Sequence, residues 1–167
     1  MDEMNPDPTL FIFLFILLIL ASLYVFLVIR YISGWNRVNP FEERGPVDPP
    51  FISVIIPFRN ERTNLPDLIQ ALSQQQYPPD KTEFLFINDH STYDSGEIIR
   101  KKVKDDFRFR LFTNEGTGKK AALLTGTSQA KGRMILQTDA DTLPAIDWIG
   151  TMVTFLLHEN AGFVAGP

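Results

Sequence analysis

FISVIIPF, residues 51–58, is an apolar run rich in β-branched side chains. It lacks the alternation of a strand with one wet face, so it predicts a strand covered on both faces, as in a parallel sheet. Outward from it, Asn64 is placed to cap a helix in which Leu65, Leu68, Ile69 and Leu72 recur at i, i+3, i+4 and i+7, and Tyr77-Pro78-Pro79 stops that helix. EFLFIN (83–88) reads as a second strand. Ile98, Ile99 and Val103 mark a short charged helix, and FRFRLF (107–112) alternates as a third strand. Lys120 to Lys131 reads as an alanine- and leucine-rich helix, and RMILQT (133–138) as a fourth strand. Pro144 opens a helix with Ile146, Ile149, Val153, Leu156 and Leu157 on one face, and GFVAG (162–166) looks like a further strand beginning. Strands alternating with helices imply the α/β class: a mostly parallel sheet flanked by helices, with right-handed crossovers.

Upstream lies Leu10–Ile29, LFIFLFILLILASLYVFLVI, with no charge and no proline. A bilayer span takes roughly 20 apolar residues, whereas the apolar part of a secretory signal is usually about 7–15 and follows a basic flank. Here Asp2, Glu3 and Asp7 precede the run, and Arg30, Arg37 and Arg44 follow it. That pattern favours one transmembrane helix with its C-terminal side in the cytoplasm, Tyr31 and Trp35 lying at headgroup level. Residues 36–50, NRVNPFEERGPVDPP, hold four prolines and no apolar period, as a linker does. The expected organisation is a tail at 1–9, a transmembrane helix at 10–30, a linker at 31–50 and one domain at 51–167. With an apparent strand directly before Pro167 and nothing to cover it, that domain is expected to be incomplete at its C-terminus, the front part of a longer protein.

Composition narrows the function classes. Sixteen Lys+Arg against 20 Asp+Glu leave a net charge of −4, contrary to a protein built to coat nucleic acid. Cys 0 removes disulfides, thiolate zinc sites and cysteine nucleophiles together. Open α/β sheets bind ligands beyond the carboxyl ends of their strands. Those ends carry Pro57-Phe58-Arg59-Asn60-Glu61, Asn88-Asp89-His90-Ser91, Thr113-Asn114-Glu115-Gly116 and Thr138-Asp139-Ala140-Asp141-Thr142. Any one polar tip is ordinary, but acids at all four favour a site for a cation or sugar hydroxyls. Asp139-Ala140-Asp141 can turn both carboxylates to one ligand if the strand breaks there, and Mg²⁺ or Mn²⁺ commonly binds one or two carboxylates plus substrate phosphates. Gly116-Thr117-Gly118-Lys119-Lys120 fails the P-loop pattern at Thr113 and Lys120, yet a helix start with glycines and lysines can still receive a diphosphate. His158, at a helix end, reads as structural. His90 reads as a solvated loop residue and Trp148 as a packing residue.

In that order, SVIIPFRNE, INDHSTYDS, NEGTGKKAALLTG and TDADT resemble the opening strand, the Asp-x-Ser turn, the N-x-G-K segment and the D-x-D of family-2 glycosyltransferases, inverting nucleotide-sugar enzymes of the GT-A fold. The resemblance spans about Phe51 to Pro167. It implies a Rossmann-like GT-A domain and a hexosyltransferase activity, with a lipid-linked or polysaccharide acceptor at the cell membrane. It further implies that Pro57, Asn60 and Glu61 line the nucleoside pocket, Asp89 bonds the base, and Lys119 lies near the diphosphate. Asp139 would contact the ribose, and Asp141, with Asp139, would hold a divalent metal, Mg²⁺ or Mn²⁺. Arg59 stands where the family often has an aromatic or small residue, which leaves its role open. The acceptor-activating base is expected beyond Pro167, so these residues are expected to bind donor without transferring sugar. Two alternatives stay open: a nucleotidyltransferase-like enzyme, although PFRNER is not the usual glycine-rich basic loop, and a non-catalytic membrane-anchored binding domain.

Overall fold

A computed structural model describes residues 8–37, 48–92 and 95–166. The chain divides into two compact units, residues 1–42 and 43–167. Among the described residues the first holds one helix, α1 (Pro8–Trp35), in which no residue is buried. At ~1.5 Å per residue its 28 residues exceed the ~30 Å of a bilayer's hydrocarbon core. Its most apolar window reaches a mean hydropathy of 3.2. Residues 31–35, assigned above to the linker, continue this helix, because between Ile29 and Trp35 only Gly34 disfavours one. Residues 1–7 of the expected tail and 38–47 of the expected linker lie outside the described residues.

The second unit runs β1 (Ile52–Phe58), α2 (Leu65–Ser73), a 3₁₀ turn (Pro79–Lys81), β2 (Thr82–Asn88), α3 (Ser95–Asp105), β3 (Phe109–Thr113), α4 (Lys119–Gln129), β4 (Met134–Gln137) and α5 (Trp148–His158). The strands form one four-stranded sheet in the order β3-β2-β1-β4, with every neighbouring pair parallel. Ile52, Val54, Ile56 and Phe58 pack on one face with Leu65, Leu68 and Leu72 of α2, Ile99 of α3, and Ile149 and Val153 of α5. Ile55, Leu85 and Ile87 pack on the other face with Ala122 of α4. The apolar run of β1 thus serves two cores. Helix α4 approaches β1 so closely that a Cβ on Gly126 would lie 2.5 Å from Cγ2 of Ile55.

A buried carboxylate ties the amino-terminal end of the sheet. Glu83 Oε1 accepts the Ser53 hydroxyl at 2.6 Å and the Lys131 N–H at 2.7 Å, while Oε2 accepts Arg110 Nη1 at 2.8 Å. Burial pushes the Glu83 carboxyl up, but the bonds from Ser53, Lys131 and Arg110 outweigh it and hold the group below its ordinary value. The α4–β4 connection is therefore bonded to the centre of the sheet.

Three local expectations need correction. Asn64 occupies the N-cap position of α2, but its side chain makes no cap bond and donates instead to Glu61 Oε2 at 2.7 Å. Pro144 does not open α5, which begins at Trp148 and leaves Ile146 and Leu157 exposed. Long-range bonds hold residues 144–147 out of the helix, since the Ala145 carbonyl accepts Gln75 Nε2 at 2.6 Å and the Ile146 carbonyl accepts the Gln76 N–H at 2.7 Å. GFVAG forms no strand. It lines, with Ile135, Leu136 and Gln137, a cavity of about 410 Å³.

Candidate functional site

The chain passes from β1 to β2 and β3 on one side, then returns to β4 on the other side of β1. The order therefore reverses between β1 and β4, and the crevice beyond their carboxyl ends is where open α/β sheets bind ligands. Four turns meet at this edge.

After β1 the backbone folds sharply, with Asn60 in the left-handed region at φ 61. Asparagine tolerates that conformation, and the Asn60 side chain fixes it by accepting the Thr92 N–H at 2.8 Å. The Asn60 N–H donates to Ser91 Oγ at 3.0 Å, so the β1 and β2 turns are joined. After β2, Asp89 is 6% exposed and both its oxygens are engaged. Oδ1 accepts Asn114 Nδ2 at 2.6 Å, and both oxygens lie 3.0 Å from the Gly118 N–H. The Asn114 bond foremost, then the Gly118 N–H and the nearby Arg59 and His90, hold the Asp89 carboxyl below its ordinary value despite burial.

After β3, Asn114 is 2% exposed and its Oδ1 accepts the Gly116 N–H at 3.1 Å. Gly118, at φ 87, supplies the positive φ from which α4 starts. His90, read above as simply solvated, is exposed but lies with Nε2 2.8 Å from the Gly116 carbonyl. After β4 the strand geometry breaks in a turn closed by Thr142, whose hydroxyl and N–H both donate to the Asp139 carbonyl, at 2.7 and 3.3 Å. Ala140 is buried in the core, while Asp139 and Asp141 on either side of it are exposed.

A cavity of about 250 Å³ lies among these turns, and Pro57, Glu61, Asp89, Lys119, Asp139 and Asp141 all line it. Phe58, Arg59 and Ala140 complete its wall. Asn60 is not in that wall; its side chain is spent on the Thr92 contact. Lys119 Nζ pairs with Asp139 at 2.6 Å, with both side chains more than half exposed. A pair so open to water contributes under about 1 kcal/mol and can separate for a ligand. A second cavity, of about 740 Å³, adjoins the first through Pro57, Lys119 and Asp139 and extends along Thr142–Ala145 and α5.

Among the described residues no three His, Cys, Asp or Glu side chains converge as a metal cage. The two carboxylates of the β4 turn instead fit a hard cation that takes its remaining oxygens from a phosphate ligand and water. The buried tie of Asn114 to Asp89 is the feature of the site that went unread in the sequence. The only signal for it is the position of Asn114 at a strand tip, four residues before Gly118.

This is a parallel α/β domain with an acid-rich ligand crevice at its switch point, and the comparisons narrow that class. Residues 53–167 match the model of glycosyl transferase family 2, and the chain belongs to that family. The protein named "Probable glycosyltransferase YdaM" of Bacillus subtilis is 30% identical over 93% of this chain and 39% of its own length. Glycosyltransferase AglE of Haloferax volcanii is 32% identical over 70% of this chain and 39% of its own. An undecaprenyl-phosphate 4-deoxy-4-formamido-L-arabinose transferase of Pseudomonas savastanoi is 30% identical over 54% of this chain and 28% of its own. The chain thus spans about two fifths or less of these relatives. Among solved structures, the mannosyltransferase PcManGT of Pyrobaculum calidifontis, in complex with GDP-Man and Mn²⁺, superposes with a TM-score of 0.66 at 27% identity, over 78% of this chain and 39% of that one. The parallel sheet of this chain, flanked by helices, has the GT-A arrangement.

Proposed function

We propose that this chain carries the donor-binding part of a membrane-anchored glycosyltransferase that moves a hexosyl group from a nucleoside-diphosphate sugar to a lipid-linked or polysaccharide acceptor. One observation carries the reading: Asp139 and Asp141 flank buried Ala140 and line one switch-point cavity together with Asp89 and Lys119. Pro57 and Glu61 line its nucleoside end, and Asn60 shapes that end through its backbone turn. Lys119 leaves Asp139 to meet the diphosphate at the amino end of α4, where the helix dipole and free N–H groups also favour an anion. Asp139 is then free for the ribose and, with Asp141, for Mg²⁺ or Mn²⁺. When bound, the cation neutralises the charge that develops on the departing diphosphate. PcManGT, with GDP-Man and Mn²⁺, supports the donor class, and the name of the arabinose transferase supports a lipid phosphate as acceptor.

The apolar α1 supports anchoring in the membrane, and the acids before it with arginines after it support a cytoplasmic catalytic domain. To test the donor-binding reading, membranes containing the protein are incubated with a panel of radiolabelled nucleotide sugars. Metal-dependent retention of at least one labelled donor on those membranes, lost with Asp141→Asn, is the expected result. Donor binding that survives both EDTA and that substitution would refute it.

A further inference from the structure

Behind the donor cavity lies a buried polar side chain, Asn114, that is not part of its wall. Asn114 stands between Asp89 and the turn that starts α4, with its amide divided between them: Nδ2 donates to Asp89 Oδ1 at 2.6 Å and Oδ1 accepts the Gly116 N–H at 3.1 Å. Asp89 in turn receives the Gly118 N–H on both oxygens. Thr125, one helical turn and more into α4, closes the ring: its hydroxyl lies 3.3 Å from Asn114 Oδ1 and accepts the Glu115 N–H at 3.3 Å. Every polar atom of the Asn114 side chain is thus committed within the protein, and the next residue after Gly118 is Lys119, which pairs with Asp139 across the cavity.

We propose that Asn114 is a positioning residue of the donor site: acting through Asp89, it locks the Gly116–Gly118 turn and so sets where Lys119 meets Asp139. The inference rests on the donor-site reading given above. Its physical basis is that a glycine-rich turn has many accessible conformations, and the four polar side-chain atoms of the Asn114–Asp89 pair select one of them. A ligand then meets a preformed helix start, without the loss of order that would weaken binding.

The test uses glycine-labelled full chain in detergent, with amide exchange followed at Gly116 and Gly118 and with GDP and UDP titrated in the presence of MnCl₂. Asn114→Asp sets a second carboxylate against Asp89 at the place of the 2.6 Å bond. Exchange at Gly118 should quicken about tenfold or more, the size expected for losing a charge-assisted bond, and nucleotide affinity should fall by a similar factor. Combining Asn114→Asp with Asp89→Asn restores one amide facing one carboxylate, with the donor on the opposite side. This swapped pair should recover Gly118 protection, and its melting temperature shows that it is folded. Unchanged Gly118 exchange in Asn114→Asp would overturn the proposal. So would a folded swapped pair whose Gly118 amide exchanges no more slowly than in the single variant. Failure of the unsubstituted chain to bind either nucleotide would refute the donor-site reading alone, while Gly118 exchange would still decide whether Asn114 sets the turn.

Discussion

Replacing Glu83 with glutamine keeps the shape of the side chain and removes its charge from the ion pair with Arg110, in which the carboxylate is buried. In the native protein three donors converge on this carboxylate: Ser53 Oγ, the Lys131 N–H and Arg110 Nη1. Glutamine offers one oxygen and one NH₂, so at least one donor comes to face another donor. Hydrogen bonds to a charged group contribute about 1.5–3 kcal/mol each, and breaking a buried pair costs about 3–5 kcal/mol. The Arg110 side chain is 29% exposed and can turn to water, which reduces the figure. We therefore expect a loss of about 2–3 kcal/mol at neutral pH.

The pH dependence follows from the lowered Glu83 carboxyl. As pH falls, the unfolded chain takes up this proton first, near its ordinary value of about 4.3, while the folded chain resists. The contribution of Glu83 is thus full above that value and is lost as pH falls through the lower, folded one. Glutamine does not titrate, so the gap between wild type and Glu83→Gln should narrow in acid. Urea unfolding of the full chain in detergent measures it through Trp148 fluorescence, in a Trp35→Phe background. A gap under about 0.5 kcal/mol at pH 7, within the range of ordinary surface substitutions, or one that stays constant into acid, would refute the reasoning.

Two further outcomes test the packing and the membrane topology. Gly126→Ala brings a methyl group to 2.5 Å from the buried and β-branched Ile55. Overpacking of about 1–3 kcal/mol, less about 1 kcal/mol of helix propensity, should leave the domain weaker in urea by up to about 2 kcal/mol; a stabilised variant would show slack between α4 and β1. A cytoplasm-active reporter fused after Gly166 should work and an export-dependent one should not, and the reverse would place the domain on the outer side.

The strands were legible because burial on both faces of β1 and β2 leaves a continuous apolar code, and α2 because Leu65, Leu68, Ile69 and Leu72 all enter one core. The residues of the switch-point cavity were legible for a related reason: each lies at the carboxyl end of a strand or in the turn that follows it, up to the start of α4 at Lys119, and topology alone collects strand ends. What escaped local reading depends on partners far away in sequence. Residues 144–147 look helical until Gln75 and Gln76 take their carbonyls, and no period in the sequence encodes that bond. Asn64 resembles a cap until Glu61 competes for its amide. The Asn114–Asp89 tie spans 25 residues and two strands, so only the folded sheet order brings the pair together.

The central claim is that the carboxylates around Ala140 hold a nucleoside diphosphate through a divalent cation, and calorimetry on the full chain tests it most directly. GDP and UDP are titrated with and without Mn²⁺ into the unsubstituted chain, Asp139→Asn and Asp141→Asn. Binding of at least one nucleotide should require the metal, and each substitution should weaken it by about tenfold or more, the scale on which even groups that merely support metal ligands act. Nucleotide affinity that is the same without Mn²⁺ and in both variants would contradict the claim.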